Sequence, residues 1–296
     1  MTSEAITVLG LGNLGRALAE TFAGDGHRVS VWNRSAAKAE GLAATVASTA
    51  ADAVAASGLV VVAVLDHQTA QQVLNGVDVH GKALVNLTSG TPDDARELAR
   101  WAAANGAEYL HGAVYAVPQT IGTEASSIIY SGSAVVHARW QKSLALLGKV
   151  TFLGEDAGRA SGYDVAILSG MYGLLGGFLH AAALARANGI EVGELTPMLL
   201  SWLTDLQPAL TTFAGEIDGG SYAGGESSLA MNQSGVATLI RAAGAQGVPF
   251  AALDAFKGLV DRQVGEGRGE ESLARAVESF GGASQGLAGG QQEDRH

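Results

Sequence analysis

The sequence predicts an α/β protein: an N-terminal Rossmann domain over 1–157, a long interdomain helix over 158–188, and an all-α C-terminal domain over 189–296. Three observations predict it. A short apolar strand runs through Gly10-Leu11-Gly12-Asn13-Leu14-Gly15 into a helical pattern, and strand-like and helical segments then alternate. An apolar stretch of helix length follows, after which only helical periodicity remains. At 296 residues the chain is long enough for two domains, and 41 Gly against 5 Pro favours helices and tight strand-helix turns over a β-sandwich. The net charge of -11 argues against nucleic acid or an anionic membrane as partner. Without cysteine, disulfides, thiolate catalysis and thiolate metal sites are excluded. Met1 to Ala5 lead into the first strand with neither a basic n-region nor a cleavable apolar segment, so a cytoplasmic protein is expected.

The first strand is expected over 6–9. In the turn after it, the first glycine makes the bend, the second admits a pyrophosphate to the backbone, and the third lets helix and strand approach. The helix runs over 16–23 and Gly26 closes it; 28–32 supplies the second strand. That strand ends in Asn33-Arg34-Ser35, where an NAD-specific site places an acid for the ribose 2′-hydroxyl. No acid is present. Arg34, Ser35 and Lys38 offer two cations and a hydroxyl instead, the equipment for a 2′-phosphate, so NADPH is the expected cofactor.

Strands follow over 59–65 and 83–87, with a helix over 67–75 between them and an amphipathic helix over 93–105 after them. Loops after parallel strands line the ligand crevice, which places Asp66, His67, Thr88 and Ser89 near the nicotinamide end; the alternative for each is a cap on the following helix. Further strands are expected over 108–116, 127–130 and 150–152, and His111 on the first of these reads as a satisfied core or rim histidine. No paired histidine spacing suggests a metal.

The stretch 157–189 has no proline and ends in Asn188-Gly189. From Asp164 to Arg186 no charged side chain intervenes, so a membrane span must be considered. His180, the interior glycines and the lack of flanking basic loops fit a helix buried between two protein masses better. A carboxylate at its head must be paired, capped, solvated by a cleft or protonated; Asp164 either caps a helix end, meets Arg159, or borders a cleft. Tyr172 lies about 80° around and about 12 Å along the helix from Asp164, so both can border one cleft. Helices are then expected over 193–206, 208–217, 227–246, 249–265 and 269–280, with a loose polar tail over 281–296.

Taken together, the chain up to about Phe280 resembles the imine reductases and reductive aminases, relatives of the β-hydroxyacid dehydrogenases. The matching text is 8–15 (VLGLGNLG), 31–35 (VWNRS), 85–92 (VNLTSGTP) and 164–180, which contains 168–173 (LSGMYG). The resemblance implies NADPH-dependent reduction of a C=N bond, in a homodimer whose chains exchange helical domains. It implies a proton-donating or cation-stabilising role for Asp164 and amine contact for Tyr172. Tyr115, Trp202, Met231 and Asn232 are implied to line the substrate pocket, with an imine, or a ketone plus an amine, as substrate. Gly10, Gly12, Asn13, Leu14, Gly15, Asn33, Arg34, Ser35, Lys38, Leu65 and Ser89 are implied to hold the cofactor. Ser89 stands where reductive aminases usually carry Asn, which implies weaker condensation of ketone with amine. The long helix lacks the lysine of the hydroxyacid dehydrogenases. A hydroxyacid dehydrogenase and a non-catalytic NADP-binding protein remain the alternatives.

Overall fold

The computed structural model describes residues 4–224 and 227–281, so the expected tail beyond Gly281, like Met1 to Ser3, lies outside the described residues. The chain divides into two compact units, Met1–Met171 and Tyr172–His296.

The first unit is built on an eight-stranded sheet of order β3-β2-β1-β4-β5-β6-β7-β8. Its strands are β1 (Ala5–Leu9), β2 (Arg28–Trp32), β3 (Thr45–Val46), β4 (Leu59–Val62), β5 (Ala83–Asn86), β6 (Glu108–Tyr115), β7 (Ser127–Gly132) and β8 (Lys149–Phe152). All neighbours are parallel except β6 and β7. The parallel strands are apolar on both faces because helices cover both. Ile6, Val8, Leu59 and Val61 point to one side, where they pack with Leu18 and Phe22 of α1 (Asn13–Gly24) and with Trp140 and Leu144 of α5 (Ala134–Ala145). Leu9, Val60, Val62 and Leu84 point to the other. There they meet α2 (Ala50–Ala55), α3 (His67–Leu74) and α4 (Pro92–Ala104), through Val54, Ala70, Leu74 and Leu98. The alternation is the period of two of a strand.

α1 has no side-chain cap and no acid in its first turn. By contrast, α4 starts with a full capping box, Thr91 Oγ1 accepting from Asp94 N and Asp94 Oδ2 accepting from Thr91 N. A long helix, α6 (Arg159–Ala187), begins in the first unit and ends in the second. Among the described residues, the regular structure in the rest of the second unit is helical: α7 (Val192–Gly219), α8 (Leu229–Ala245), α9 (Ala251–Gly265) and a 3-10 segment, Leu273–Ser279. Leu229, Val260 and Ala276 form its small core.

The structure differs from the sequence expectations in a few places. The helices expected over 193–206 and 208–217 are one helix, because proline already has a helical φ and Pro208 forfeits a single N–H bond that the flanking turns carry past. The helix expected over 269–280 is 3-10, and β3, α2 and α5 were not foreseen. The long helix is not buried within one chain: past Asp164, Ile167, Leu174, Leu175 and Leu179 are exposed.

Candidate active site and cofactor cradle

The glycine turn between β1 and α1 has the shape its sequence implies. Gly10 adopts φ +97, and a Cβ there would strike the Ala63 carbonyl oxygen; a Cβ on Gly15 would strike the Gly10 carbonyl oxygen. At Gly12 a Cβ would meet nothing within 4 Å, so this side of the turn is open. Gly12 is the N-cap of α1, and the first-turn N–H groups of Asn13, Leu14 and Gly15 receive no side-chain cap. Uncapped donors at a helix N-terminus, facing open space beside a glycine, fit a pyrophosphate. Asn33 locks this turn to the end of β2: its Oδ1 accepts from Leu11 N at 3.0 Å and its Nδ2 donates to Ser35 O at 3.0 Å. Arg16 of α1 adds a brace that sequence reading missed, donating from one guanidinium nitrogen to the carbonyls of Lys38 and Glu40, 3.0 Å each.

Arg34, Ser35 and Lys38 are exposed around the turn so held. Ser35 starts a 3-10 segment, Ala36–Ala39, without capping it through its hydroxyl. Neither Arg34 nor Lys38 enters an ion pair among the described residues. Two unpaired cations and a free hydroxyl fit a 2′-phosphate. At the ends of β4 and β5, Leu65 is 85% exposed, and Ser89 is exposed as well. Asp66 is a helix cap, accepting from Thr69 N and Thr69 Oγ1 at 2.8 and 2.6 Å, while Thr88 accepts from Val64 N instead of capping.

The head of α6 is anchored before it reaches Asp164. Ser131 of β7 accepts from Ala160 N at 2.9 Å and donates to Ala157 O at 3.0 Å. Arg96 grips Asp156 through two bonds of 2.9 and 2.8 Å, and Asp156 in turn accepts from Gly158 N. Ser161, wholly buried, bonds His111 Nε2 at 2.8 Å. Asp164 follows one turn on, 7% exposed. It neither caps the helix nor pairs with Arg159; its carboxyl faces the Tyr115 hydroxyl at the end of β6. The two interact, although not through a well-aligned hydrogen bond, and the buried Tyr115 hydroxyl has no other partner among the described residues. Burial raises the Asp164 carboxyl above the ordinary carboxylate range, only partly offset by Tyr115. Burial and the neighbouring carboxylate push the Tyr115 hydroxyl up to about 12.

The structure therefore brings together Asp164 and Tyr115. Tyr172, Trp202 and Met231 belong to the second unit, on α6, α7 and α8, and are 66%, 60% and 55% exposed. Asn232 is half-buried, and its Nδ2 donates to Ser227 Oγ and Ser228 O at 2.8 Å.

Residues 156–282 match the model of the NADPH-dependent reductive aminase-like C-terminal domain, and residues 5–154 that of the NAD binding domain of 6-phosphogluconate dehydrogenase. The chain is 40% identical over 287 residues to an NADPH-dependent reductive aminase of Aspergillus oryzae, covering 94% of this chain and 97% of that one. It superposes with TM-score 0.89 on the reductive aminase from Aspergillus terreus in complex with NADPH and ethyl levulinate, at 42% identity, covering 94% of this chain and 100% of the other. A structure of a reductive aminase from Aspergillus terreus in complex with cyclohexanone and allyl amine gives the same TM-score, 0.89, at 41% identity and the same coverage. The chain belongs to the imine reductase and reductive aminase family. It is an NADPH-dependent oxidoreductase of that family. Membership accounts for the open glycine turn and the cationic turn beside it, which together suit NADPH.

Two features of this family member escaped sequence reading. One is the buried polar line through His111, whose members are scattered over three elements. The other is a cluster of ionisable side chains, His67, Asp94 and Glu97, whose ring nitrogen and carboxylate oxygens lie within 4.8 Å of one another on α3 and α4. His67 and Asp94 are 27 positions apart in sequence, so no local motif announces the group.

Proposed function

We propose that the chain reduces the C=N bond of cyclic imines and iminium ions with NADPH, accepts a ketone plus an amine more weakly, and uses Asp164 as the proton and charge group. The observation that carries this is a buried carboxyl, one turn from a firmly anchored helix head, facing a buried tyrosine hydroxyl that has no other partner among the described residues. The relatives' complexes with ethyl levulinate, and with cyclohexanone and allyl amine, support the carbonyl-plus-amine side of the reading.

When bound, NADPH supplies the hydride. The chain's own residues hold and neutralise. Burial raises the proton affinity of Asp164, so the carboxyl can hand its proton to a neutral imine nitrogen, the stronger base. Left as a carboxylate, it then stabilises the cationic nitrogen that makes the carbon accept hydride. Tyr115 keeps its proton, because its hydroxyl is held well above neutrality, and donates a hydrogen bond to whichever group then bears the lone pair. The cationic turn, Arg34, Ser35 and Lys38, selects the 2′-phosphate over a hydroxyl. The protein acts in the cytoplasm as a homodimer in which the exposed apolar faces of α6 and α7 meet a second copy.

The test is turnover of NADPH with 2-methyl-1-pyrroline, beside oxidation of a β-hydroxyacid with NADP⁺. Imine turnover alone is expected, and Asp164→Asn should lower kcat by about 10² or more while leaving the KM for NADPH unchanged. Hydroxyacid oxidation without imine reduction, or a fully active Asp164→Asn enzyme, would overturn the reading.

A further inference from the structure

We infer that His111 is a positioning residue for Asp164, acting through its hydrogen bond to Ser161 across the junction between β6 and α6. The inference rests on the role proposed above for Asp164.

A continuous buried polar line runs through the first unit. Val64 N donates to Thr88 Oγ1 at 3.2 Å, Thr88 N to Asn86 Oδ1 at 3.1 Å, and Asn86 Nδ2 to the Tyr109 hydroxyl at 3.1 Å. Tyr109 meets His111 Nδ1 at 3.3 Å, and His111 Nε2 meets Ser161 at 2.8 Å. The Tyr109 oxygen already accepts from Asn86. A neutral imidazole carries one ring proton, so His111 donates to one of Tyr109 and Ser161 and accepts from the other, and with either tautomer both ring nitrogens are engaged. The ring is 2% exposed, with burial holding it down to about 4, so it is neutral and the line is a string of dipoles with no charge in it.

Position makes this line more than core satisfaction. Ser161 and Asp164 are three residues apart in α6, hence on one face, and both are buried while Tyr163 and Val165 beside Asp164 are exposed. Ser131 and Asp156 fix where the helix starts, through the Ala160 and Gly158 N–H groups. Beside the approach of Tyr115 to the carboxyl itself, the His111–Ser161 bond ties the sheet to the face that carries the acid and holds the rotation of that face. The far end of the line orders Thr88, next to Ser89 in the loop assigned to the cofactor. One neutral imidazole thus ties the loop beside the cofactor to the acid. Misplacing a reacting group by about 1 Å costs a rate factor of up to about 10² with binding untouched.

The test compares His111→Asn, which keeps a group at the Nδ1 reach and loses the one at Nε2, with Ser161→Ala and His111→Gln, which keeps the Nε2 reach. His111→Asn and Ser161→Ala are each expected to lower kcat about tenfold with the KM for NADPH within about twofold of the original. The double variant should be no slower than the slower single, His111→Gln should recover most of the rate, and His111→Asn should change the residual kcat of Asp164→Asn by less than about twofold. A merely structural histidine would slow the Asp164→Asn enzyme as much as the original. That result, or full kcat in a folded His111→Asn or Ser161→Ala enzyme beside an impaired Asp164→Asn, overturns this inference alone. Full kcat in Asp164→Asn overturns the Asp164 reading and this inference with it. If His111→Asn does not fold, Ser161→Ala decides, since alanine keeps the helix and removes only the hydroxyl.

Discussion

Asp164 has a cost to the fold as well as the use proposed for it in the reaction. Its folded-state pKa is raised above the ordinary 3.8 by burial, so its contribution to stability is fully present below the unfolded value and is lost as pH rises through the raised folded value. Asp164→Asn removes that loss. The variant's thermal midpoint relative to the unaltered protein is expected to rise between mildly acid and neutral pH, with the difference vanishing near pH 3 to 4; a difference independent of pH would contradict the burial argument. Asp156 and Asp94 run the other way, held low chiefly by Arg96 and by the Thr91 N–H, and their contributions fade as pH falls. Arg34 is the second residue with a sharp consequence. It is exposed and enters no ion pair among the described residues, so replacing it should leave the fold intact. Arg34→Ala should raise the KM for NADPH by about tenfold, the size of one lost charge-assisted phosphate contact, and leave the KM for NADH nearly unchanged. Steady-state kinetics with both cofactors checks this, and an equal effect on the two would remove Arg34 from the 2′-phosphate site.

Among elements, the head of α6 is where local physics and function meet. Ser131 on β7 serves two buried backbone groups at once, Ala160 N and Ala157 O. Ser131→Ala should therefore cost about 1–3 kcal/mol, the penalty for leaving buried polar groups unmade, read as a lower midpoint in urea. An unchanged midpoint would mean that the helix is held by Asp156 and Ser161 alone. This anchoring shows what the sequence could and could not reveal. The glycine turn was legible because Gly10, Gly12 and Gly15 shape it through the backbone, which follows from local spacing. The helix α6 was legible because charge is missing from Asp164 to Arg186. Its anchors were not, since Ser131, His111 and Asp156 are polar residues of ordinary kind whose partners lie up to 60 positions away. α2 and β3 escaped for a different reason: at six and two residues they give too few periods to stand out. Length does not explain α5, which at 12 residues buries Val136, Trp140 and Leu144 at helical spacing and still escaped.

At the scale of the whole molecule, the unbalanced quantity is apolar surface in the helical unit. None of the 28 residues of α7 is buried in the single chain. Met198, Leu200, Trp202 and Leu210 on it are 58% to 71% exposed, and Leu174 and Leu179 on α6 are 53% and 67% exposed. Scattered exposed leucines need no explanation, but two long helices that keep their apolar side chains in water do. α6 is long and apolar enough to cross a membrane, so lipid is the competing cover. Asp205 stands in the middle of α7, where a bilayer would penalise it, and His180 in α6 is bonded to Val248 O and stacked on Phe250. A second protein copy tolerates both. The expected interface is of the obligate kind, about 2,000–5,000 Å² and largely apolar. Light scattering should find a dimer that persists on dilution without detergent, and Leu179→Glu, which places a charge in that surface, should shift it to monomer with loss of turnover. An active dilute monomer would contradict the argument, and a chain that stays dispersed only in detergent would return the apolar helices to lipid.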